Sequence, residues 1–338
     1  MIKTTRSLLA LAGFFLSIGY VQASDCIETR AGFDIGSGTT KAMVAEVDVC
    51  HGVLGNVLYQ SEQPVGYNAD LARSLNGELS PAIANEGLAT LQSLLHAVNQ
   101  WHPTRISGVA TEVFRSASNG EQVIADFERN TGLSIKVLSQ EQEALLGFLS
   151  AKATLNQPAL SNSDILVWDI GGGSMQMTSF EPVNGHLRPV VYLGKLAAVS
   201  LKDMIIDVFQ NKDLRAVTSP NPVGDQAPMI LRFIRFYATT HVQPEIRLAA
   251  ARKLVVGIGG VHSYSISGQL GTGRNSYRLE ELKNIIGKKS VMDDSQLQGK
   301  YKATDVTNLL LIEGFMEALD IAEVHVVKAS LIQGVLLQ

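Results

Sequence analysis

The sequence predicts an α/β protein made of two related halves, and three observations carry that reading. Strand-like apolar runs alternate with segments of helical period along the 338 residues, which implies helices layered on sheets. The stretch Asp34-Ile35-Gly36-Ser37-Gly38-Thr39 returns 135 residues later as Asp169-Ile170-Gly171-Gly172-Gly173-Ser174, each copy between two strand-like runs. The length exceeds what one compact core usually absorbs. A hydrophobic share of 46% with 18% charged residues supports packed cores rather than an extended disordered chain. The net charge of −4 gives no general attraction to nucleic acid or anionic lipid, so any phosphate would have to be held by local donors.

At the start, Lys3 and Arg6 precede an apolar run over residues 8–20, and Val21-Gln22-Ala23 offers a small-residue cleavage pattern. This is the layout of a secretory signal peptide over residues 1–23, cut near Ala23, and it implies an exported protein, periplasmic or secreted. The run has 13 residues against the roughly 20 of a spanning helix, and no other stretch is longer, so no membrane span is expected. Residues 27–35 and 41–49 read as strands of a hairpin turning through the glycines at 36–39. That hairpin sets Cys26 nearly opposite Cys50, and an oxidising compartment would let the two form a disulfide; two unpaired buried thiols are the alternative.

Further strands are expected at 53–60, 106–111 and 134–138. A helix opens at Ser80-Pro81, where serine satisfies a free amide and proline lacks one, and runs to 101. Another covers 119–130 and stops at Gly132. Ser139 with Gln142 forms a reciprocal cap for a helix through 155, followed by a linker over 156–163. Strands at 165–169 and 175–180 flank the second glycine turn. Helices follow near 198–209, 229–239, 278–286 and 305–319, with strands at 254–258 and 323–327 and a closing helix from 331.

The repeated turns carry the chemistry. Glycines let backbone amides approach an oxyanion, the Ser and Thr hydroxyls add donors, and the aspartate opening each turn offers a carboxylate to a hard cation or to water. A third glycine cluster, Gly257-Ile258-Gly259-Gly260, again follows an apolar run. The dinucleotide fingerprint is excluded, because Lys41 stands where its third glycine belongs and a strand follows. There is no Walker A sequence, and the seven histidines are scattered without ligand spacing.

Together with the two hairpins, Val109-Ala110-Thr111-Glu112-Val113-Phe114-Arg115-Ser116-Ala117-Ser118-Asn119-Gly120 and Leu138-Ser139-Gln140-Glu141-Gln142-Glu143-Ala144 resemble the exopolyphosphatase/guanosine pentaphosphate phosphohydrolase (Ppx/GppA) family. The likeness runs from about Ala31 to the final helix, where Ser330-Leu331-Ile332-Gln333-Gly334 stands in place of Gly-Leu-Arg-Glu-Gly, and it has the extent of the short two-domain form. It implies a duplicated actin-like (ribonuclease H-like) two-domain fold with an interdomain cleft. The domains would cover 24–140 and 141–338, with the final helix packing back on the first. It also implies hydrolysis of a terminal phosphoanhydride with Mg²⁺ assisting.

Carried over residue by residue, the resemblance makes Glu143 the group that positions or deprotonates water, and Asp34 and Asp169 metal ligands. Arg115 would contact phosphate, and Ser37, Gly38, Thr39, Gly171, Gly172, Gly173 and Ser174 would cradle it, with Gly259 and Gly260 as a third contact. Glu143 lies in the first turn of a capped helix, where the helix dipole favours a carboxylate and so a base at neutral pH. Lys41 fits either a solvated surface or a phosphate ligand. Several positions depart from the pattern. Gly38 removes an amide side chain from the first loop, and Gln176 replaces a glutamate metal ligand by an amide, a weaker donor for Mg²⁺. Val261 replaces a threonine, and Ile332 and Gln333 remove a charge pair.

The function expected is an exported phosphoanhydride hydrolase removing terminal phosphate from polyphosphate. The alternatives are a catalytically impaired polyphosphate or nucleotide-binding sensor or scaffold, motivated by Gln176 and Gly38, and a guanosine pentaphosphate phosphatase. A kinase of the same fold would need ATP outside the cytoplasm. The partners implied are polyphosphate or a phosphorylated nucleotide, with a homodimer as the one protein–protein option and no nucleic acid. The cysteine reading is tested by thiol titration of the unreduced mature protein: no reactive thiol is expected, and two would remove the bridge. A loop of this length, once closed, stabilises by about 3.5 kcal/mol in the chain-entropy treatment.

Overall fold

A computed structural model describes residues 26–338 except 156, 158, 272 and 300; the expected signal peptide lies outside the described residues. The first half runs β1 (Ile27–Ile35), β2 (Thr39–Asp48), β3 (Val53–Pro64), α1 (Tyr67–Leu71), α2 (Pro81–Asn99), β4 (Arg105–Ala110), α3 (Glu112–Ser116), α4 (Gly120–Thr131) and β5 (Ile135–Val137). After α5 (Gln140–Leu155), the second half runs β6 (Ile165–Ile170), β7 (Met175–Val183), β8 (His186–Gly194), α6 (Ala198–Met204), α7 (Ala227–His241), α8 (Pro244–Arg252), β9 (Leu254–Ile258), α9 (Ser267–Leu270), β10 (Ser276–Arg278), α10 (Leu279–Lys289), α11 (Lys302–Leu319), β11 (Glu323–Val326) and α12 (Leu331–Leu336).

The duplication read from two hexapeptides extends to both sheets. The first has the order β3-β2-β1-β4-β5, the second β10-β11-β9-β6-β7-β8. In each, three strands form an antiparallel meander and two more join parallel to its first strand. β10 is the one addition. The two hairpins share their register as well, Asp34 pairing with Lys41 and Asp169 with Gln176. This is the actin-like α/β fold the sequence points to.

Local chemistry explains the boundaries. Ser80 Oγ accepts from Ile83 N at the start of α2, and Gly132 closes α4 in the left-handed conformation at φ 71°. Ser139 and Gln142 cap each other in both directions ahead of α5. The open end of the β1–β2 hairpin carries the Cys26–Cys50 disulfide, with the Cα atoms 5.4 Å apart. The sequence pattern does not signal α1, whose stretch reads as a polar loop, nor α3, β8, α8, β10, α9 and the wide helical turn over 261–266 that leads into it. β8 contains Pro189, which argues against a strand; it is tolerated because β8 lies at the sheet edge with one partner only. The helix expected at 198–209 continues past α6 as one wide turn over Ile205–Phe209.

The main cores lie around Phe33, Phe114 and Phe127 in the first half and Trp168, Ile234 and Phe315 in the second, where a smaller cluster of Phe148, Val167 and Val256 packs α5 on β6 and β9. α5 and α12 join them. Ile332 and Leu336 of α12 cover Met43, Ala45 and Val47 of β2, while Leu331 and Val335 pack with Val109, Leu138 and Leu146. Arg30 and Arg105 of the first sheet donate to the carbonyls of Leu336 and Gln338, and Gly334 N donates to Ser150 Oγ of α5. Among the described residues no helix is long and apolar enough to cross a membrane.

The α5–α12 contact is close enough to test. A Cβ on Gly334 would lie 2.7 Å from both Cδ1 and the carbonyl oxygen of Leu146, and that backbone oxygen cannot rotate aside. Gly334→Ala should therefore destabilise by about 1–3 kcal/mol through overpacking. An unchanged urea midpoint would mean that the two helices are not packed this closely.

Candidate active site

The chemistry gathers beyond the carboxyl ends of the central strands, the usual place for a site in sheets with parallel pairs. β1 delivers Asp34 and β6 delivers Asp169, and the two glycine loops fold alike. Gly36 N donates to Thr39 O at 2.9 Å, and Gly171 N to Ser174 O at 2.9 Å. The carbonyl of Ser37 accepts from Asn68 N, the second residue of α1; that of Gly172 accepts from Val199 N, the second residue of α6. The 135-residue offset between the motifs relates the loop residues in these bonds, while the helix donors Asn68 and Val199 stand 131 residues apart.

The symmetry stops at the side chains beside the aspartates. In the first sheet a row across three strands reads Asp34, Lys41, Glu62; in the second it reads Asp169, Gln176, Leu193. Lys41 Nζ lies 4.0 Å from Asp34 Oδ2. Burial disfavours the ammonium, but Asp34, Glu62, Asp169 and Tyr264 outweigh it and raise the Lys41 pKa. Burial also raises the pKa of Asp34 against the pull of Lys41, with Glu62 adding to the shift. Asp169 is pushed up to about 6 by desolvation, which Lys41 opposes and Asp34 reinforces.

Glu143, in the first turn of α5, is buried. Arg115 of α3 donates Nη1 to Glu143 Oε2 and to the Leu138 carbonyl, both at 2.7 Å, and its Nη2 is buried without a hydrogen-bond partner. By helix position alone Glu143 would be a carboxylate with an ordinary pKa; the structure places it where desolvation dominates. Burial lifts its pKa to about 7 against the attraction of Arg115, with Asp169 and Asp34 adding to the rise.

The remaining glycines are explained by close approach. Gly259 has φ +85°, and a Cβ there would lie 2.7 Å from Asp169 Oδ1, so the third cluster touches the second aspartate directly. Gly260 follows it at the surface. Gly38 has nothing within 4 Å of a Cβ position, leaving the first loop open where the family pattern has an amide.

Two cleft residues carry no role in the sequence pattern. A Cβ on Gly172 would lie 2.8 Å from Asn68 Nδ2, and one on Gly173 would lie 2.6 Å from Glu112 Oε2, so both side chains reach across from the first half onto the second loop. Glu112 was legible in principle, since it precedes Arg115 by three residues and that spacing puts both on one helix face.

The donor set fits a hard divalent cation. Asp34 and Asp169 present desolvated carboxylate oxygens, and the nearest cation to Asp34 is Lys41 at 4.0 Å. Gln176 is buried and donates Nε2 to Ser174 Oγ at 3.1 Å, leaving its amide oxygen as the remaining donor. Among the described residues, no three cleft carboxylates bring ligand atoms within 4.8 Å of one another; the one such group, Cys26, Asp48 and Cys50, is at the disulfide.

Comparison with known proteins agrees with this geometry. Residues 67–185 match the model of the Ppx/GppA phosphatase family. Exopolyphosphatase 1 of Mycobacterium tuberculosis is 27% identical over 146 residues, which are 43% of this chain and 40% of that protein; the match thus spans less than half of the relative's length. The fold is similar to the Aquifex aeolicus Ppx/GppA family member, with a TM-score of 0.71 at 17% identity over 92% of this chain and 97% of that one. It is also similar to a Cytophaga hutchinsonii exopolyphosphatase, with a TM-score of 0.68 at 16% identity over 91% and 96% of the two chains. The chain thus resembles the Ppx/GppA phosphatase family in sequence over residues 67–185, and it shares the fold of that family's solved structures over nearly the whole described length.

Proposed function

We propose that the protein hydrolyses terminal phosphoanhydride bonds of inorganic polyphosphate, outside the cytoplasm, using Glu143 to activate water. The observation that carries this reading is the buried Arg115–Glu143 pair at 2.7 Å, beside two matched anion-binding loops. Glu143 with a pKa of about 7 is half deprotonated at neutral pH, close to the optimum for a general base. It takes the proton of the attacking water as the oxygen bonds to the terminal phosphorus and the P–O bond to the bridging oxygen breaks, giving orthophosphate and the polyphosphate shortened by one unit as an anionic leaving group. The unpartnered Nη2 of Arg115 is available to donate to a phosphoryl oxygen as charge builds there. The amides of the two loops and the hydroxyls of Ser37, Thr39 and Ser174 bind the remaining oxygens, and phosphoryl transfer needs mainly such positioning.

Asp34 and Asp169 would hold Mg²⁺, with the Gln176 amide oxygen as a third donor; when bound, it neutralises charge on the phosphate chain. The Cys26–Cys50 bridge supports an oxidising compartment, in keeping with the expected signal peptide. A weakly active or purely binding protein is the second reading, favoured by Gln176 in place of a carboxylate.

Glu143→Gln should lower kcat by at least 10²-fold with substrate binding retained, read as orthophosphate release against equilibrium binding. Unchanged turnover would reject Glu143 as the base. Because the base acts deprotonated, kcat/KM should rise with pH through the Glu143 pKa near 7 and level off above it, and a bound cation would move that limb to lower pH. Gln176→Glu should lower the Mg²⁺ concentration for half-maximal rate by roughly tenfold; no change would place the cation away from residue 176.

A further inference from the structure

The family resemblance gives Glu112 no role, yet its carboxylate lies between the two phosphate loops. Ser37 Oγ of the first loop donates to Oε2 at 3.4 Å, and Ser116 Oγ donates to Oε1 at 2.7 Å. On the other side is the bare backbone of Gly173, where a Cβ would lie 2.6 Å from Oε2 and 2.8 Å from Cδ. Hydroxyl donors on one side and unshielded glycine on the other are the surroundings a phosphate oxygen would find there. A carboxylate satisfies them with the same charge sign and the same acceptor chemistry.

The two nearby cations are engaged elsewhere, Lys41 with Asp34 and Arg115 with Glu143. Among the described residues no Lys or Arg forms an ion pair with Glu112. Its charge therefore acts on whatever enters the cleft, beside the carboxylates of Asp34, Asp169 and Glu143 and with Glu62 at Lys41. α3 fixes it there: Val113 and Phe114 are buried in the first core, which anchors this short helix against the loops.

We propose that Glu112 is a built-in competitor of the phosphate chain. Its carboxylate occupies a phosphate position between the loops, and a substrate binds by displacing it. Residue 112 thereby sets affinity and discriminates by charge. A polyphosphate chain, bringing several phosphates and their counter-cations, displaces the carboxylate more readily than a single orthophosphate does. After hydrolysis the returning carboxylate helps to expel the product. This rests on the phosphoanhydride reading for the nature of the substrate, while the competition itself concerns binding alone.

The test uses Glu112→Gln, which keeps the shape and removes the charge, and Glu112→Ala, which removes both. Inorganic tripolyphosphate with Mg²⁺ is the calorimetric probe, and orthophosphate release gives KM and product inhibition. Removing a like charge at contact distance should tighten the tripolyphosphate Kd on the order of tenfold in both variants, with stronger inhibition by orthophosphate. A Kd unchanged or weakened in both folded variants overturns the proposal, since a merely structural glutamate would not tighten binding when removed.

The contact is checked independently by Gly173→Ala, which should lower the melting temperature in the wild-type background and less so beside Glu112→Ala. Strictly additive losses would mean that the carboxylate does not rest on Gly173, and would also overturn it. If no protein releases orthophosphate while the Glu112 variants bind tripolyphosphate more tightly, the hydrolase reading falls and the competitor stands. With wild-type turnover and unchanged variant affinity, the competitor falls and the hydrolase stands. No binding by any of the three overturns both.

Discussion

The cost of keeping carboxylates away from water governs the centre of this molecule. Among the described residues, Asp34, Asp169, Glu143 and Glu112, with Glu62 beside Lys41, gather around two cations, Lys41 and Arg115, so the site is short of positive charge. Lys41 pairs with Asp34 and Arg115 with Glu143. The raised pKa values of Asp34, Asp169 and Glu143 express the deficit, because burial weakens hydration faster than the two cations restore it.

The scaffold that holds these groups is symmetric, and its chemistry is not. The same backbone contacts recur in both loops, because each loop is clamped between a strand end and the start of a helix. The cross-strand neighbours of the two aspartates differ in charge, Lys41 on one side and Gln176 on the other. One half of the cleft thus carries an ammonium against its aspartate, while the other carries an amide, so that Lys41 acts on both Asp34 and Asp169. The copies keep their backbone and divide their tasks by side chain.

Much of this was readable in the chain. Two hexapeptides disclosed the duplication, the Ser139–Gln142 cap located the helix that carries Glu143, and the cysteine positions matched a hairpin end. What escaped depends on partners far apart in sequence. Glu112 stands in a recognisable stretch, but only folding sets it against Gly173, and the same holds for Asn68 and Gly172. β8 was hidden because Pro189 is permissible only at an edge, and edge position is a property of the assembled sheet. The Glu143 pKa followed the same pattern. Helix position is local and legible, whereas desolvation is set by everything packed around it.

α12 makes the order of synthesis matter. The face of β2 formed by Met43, Ala45 and Val47, and the space beside Gly32, are covered by Ile332, Val335 and Leu336, almost three hundred residues downstream. The first half therefore emerges with an apolar sheet face that nothing nearby can cover, and its folding is completed only when the last helix arrives. Loss of α12 would therefore be felt at the amino-terminal sheet, almost three hundred residues away in sequence, as an uncovered apolar face.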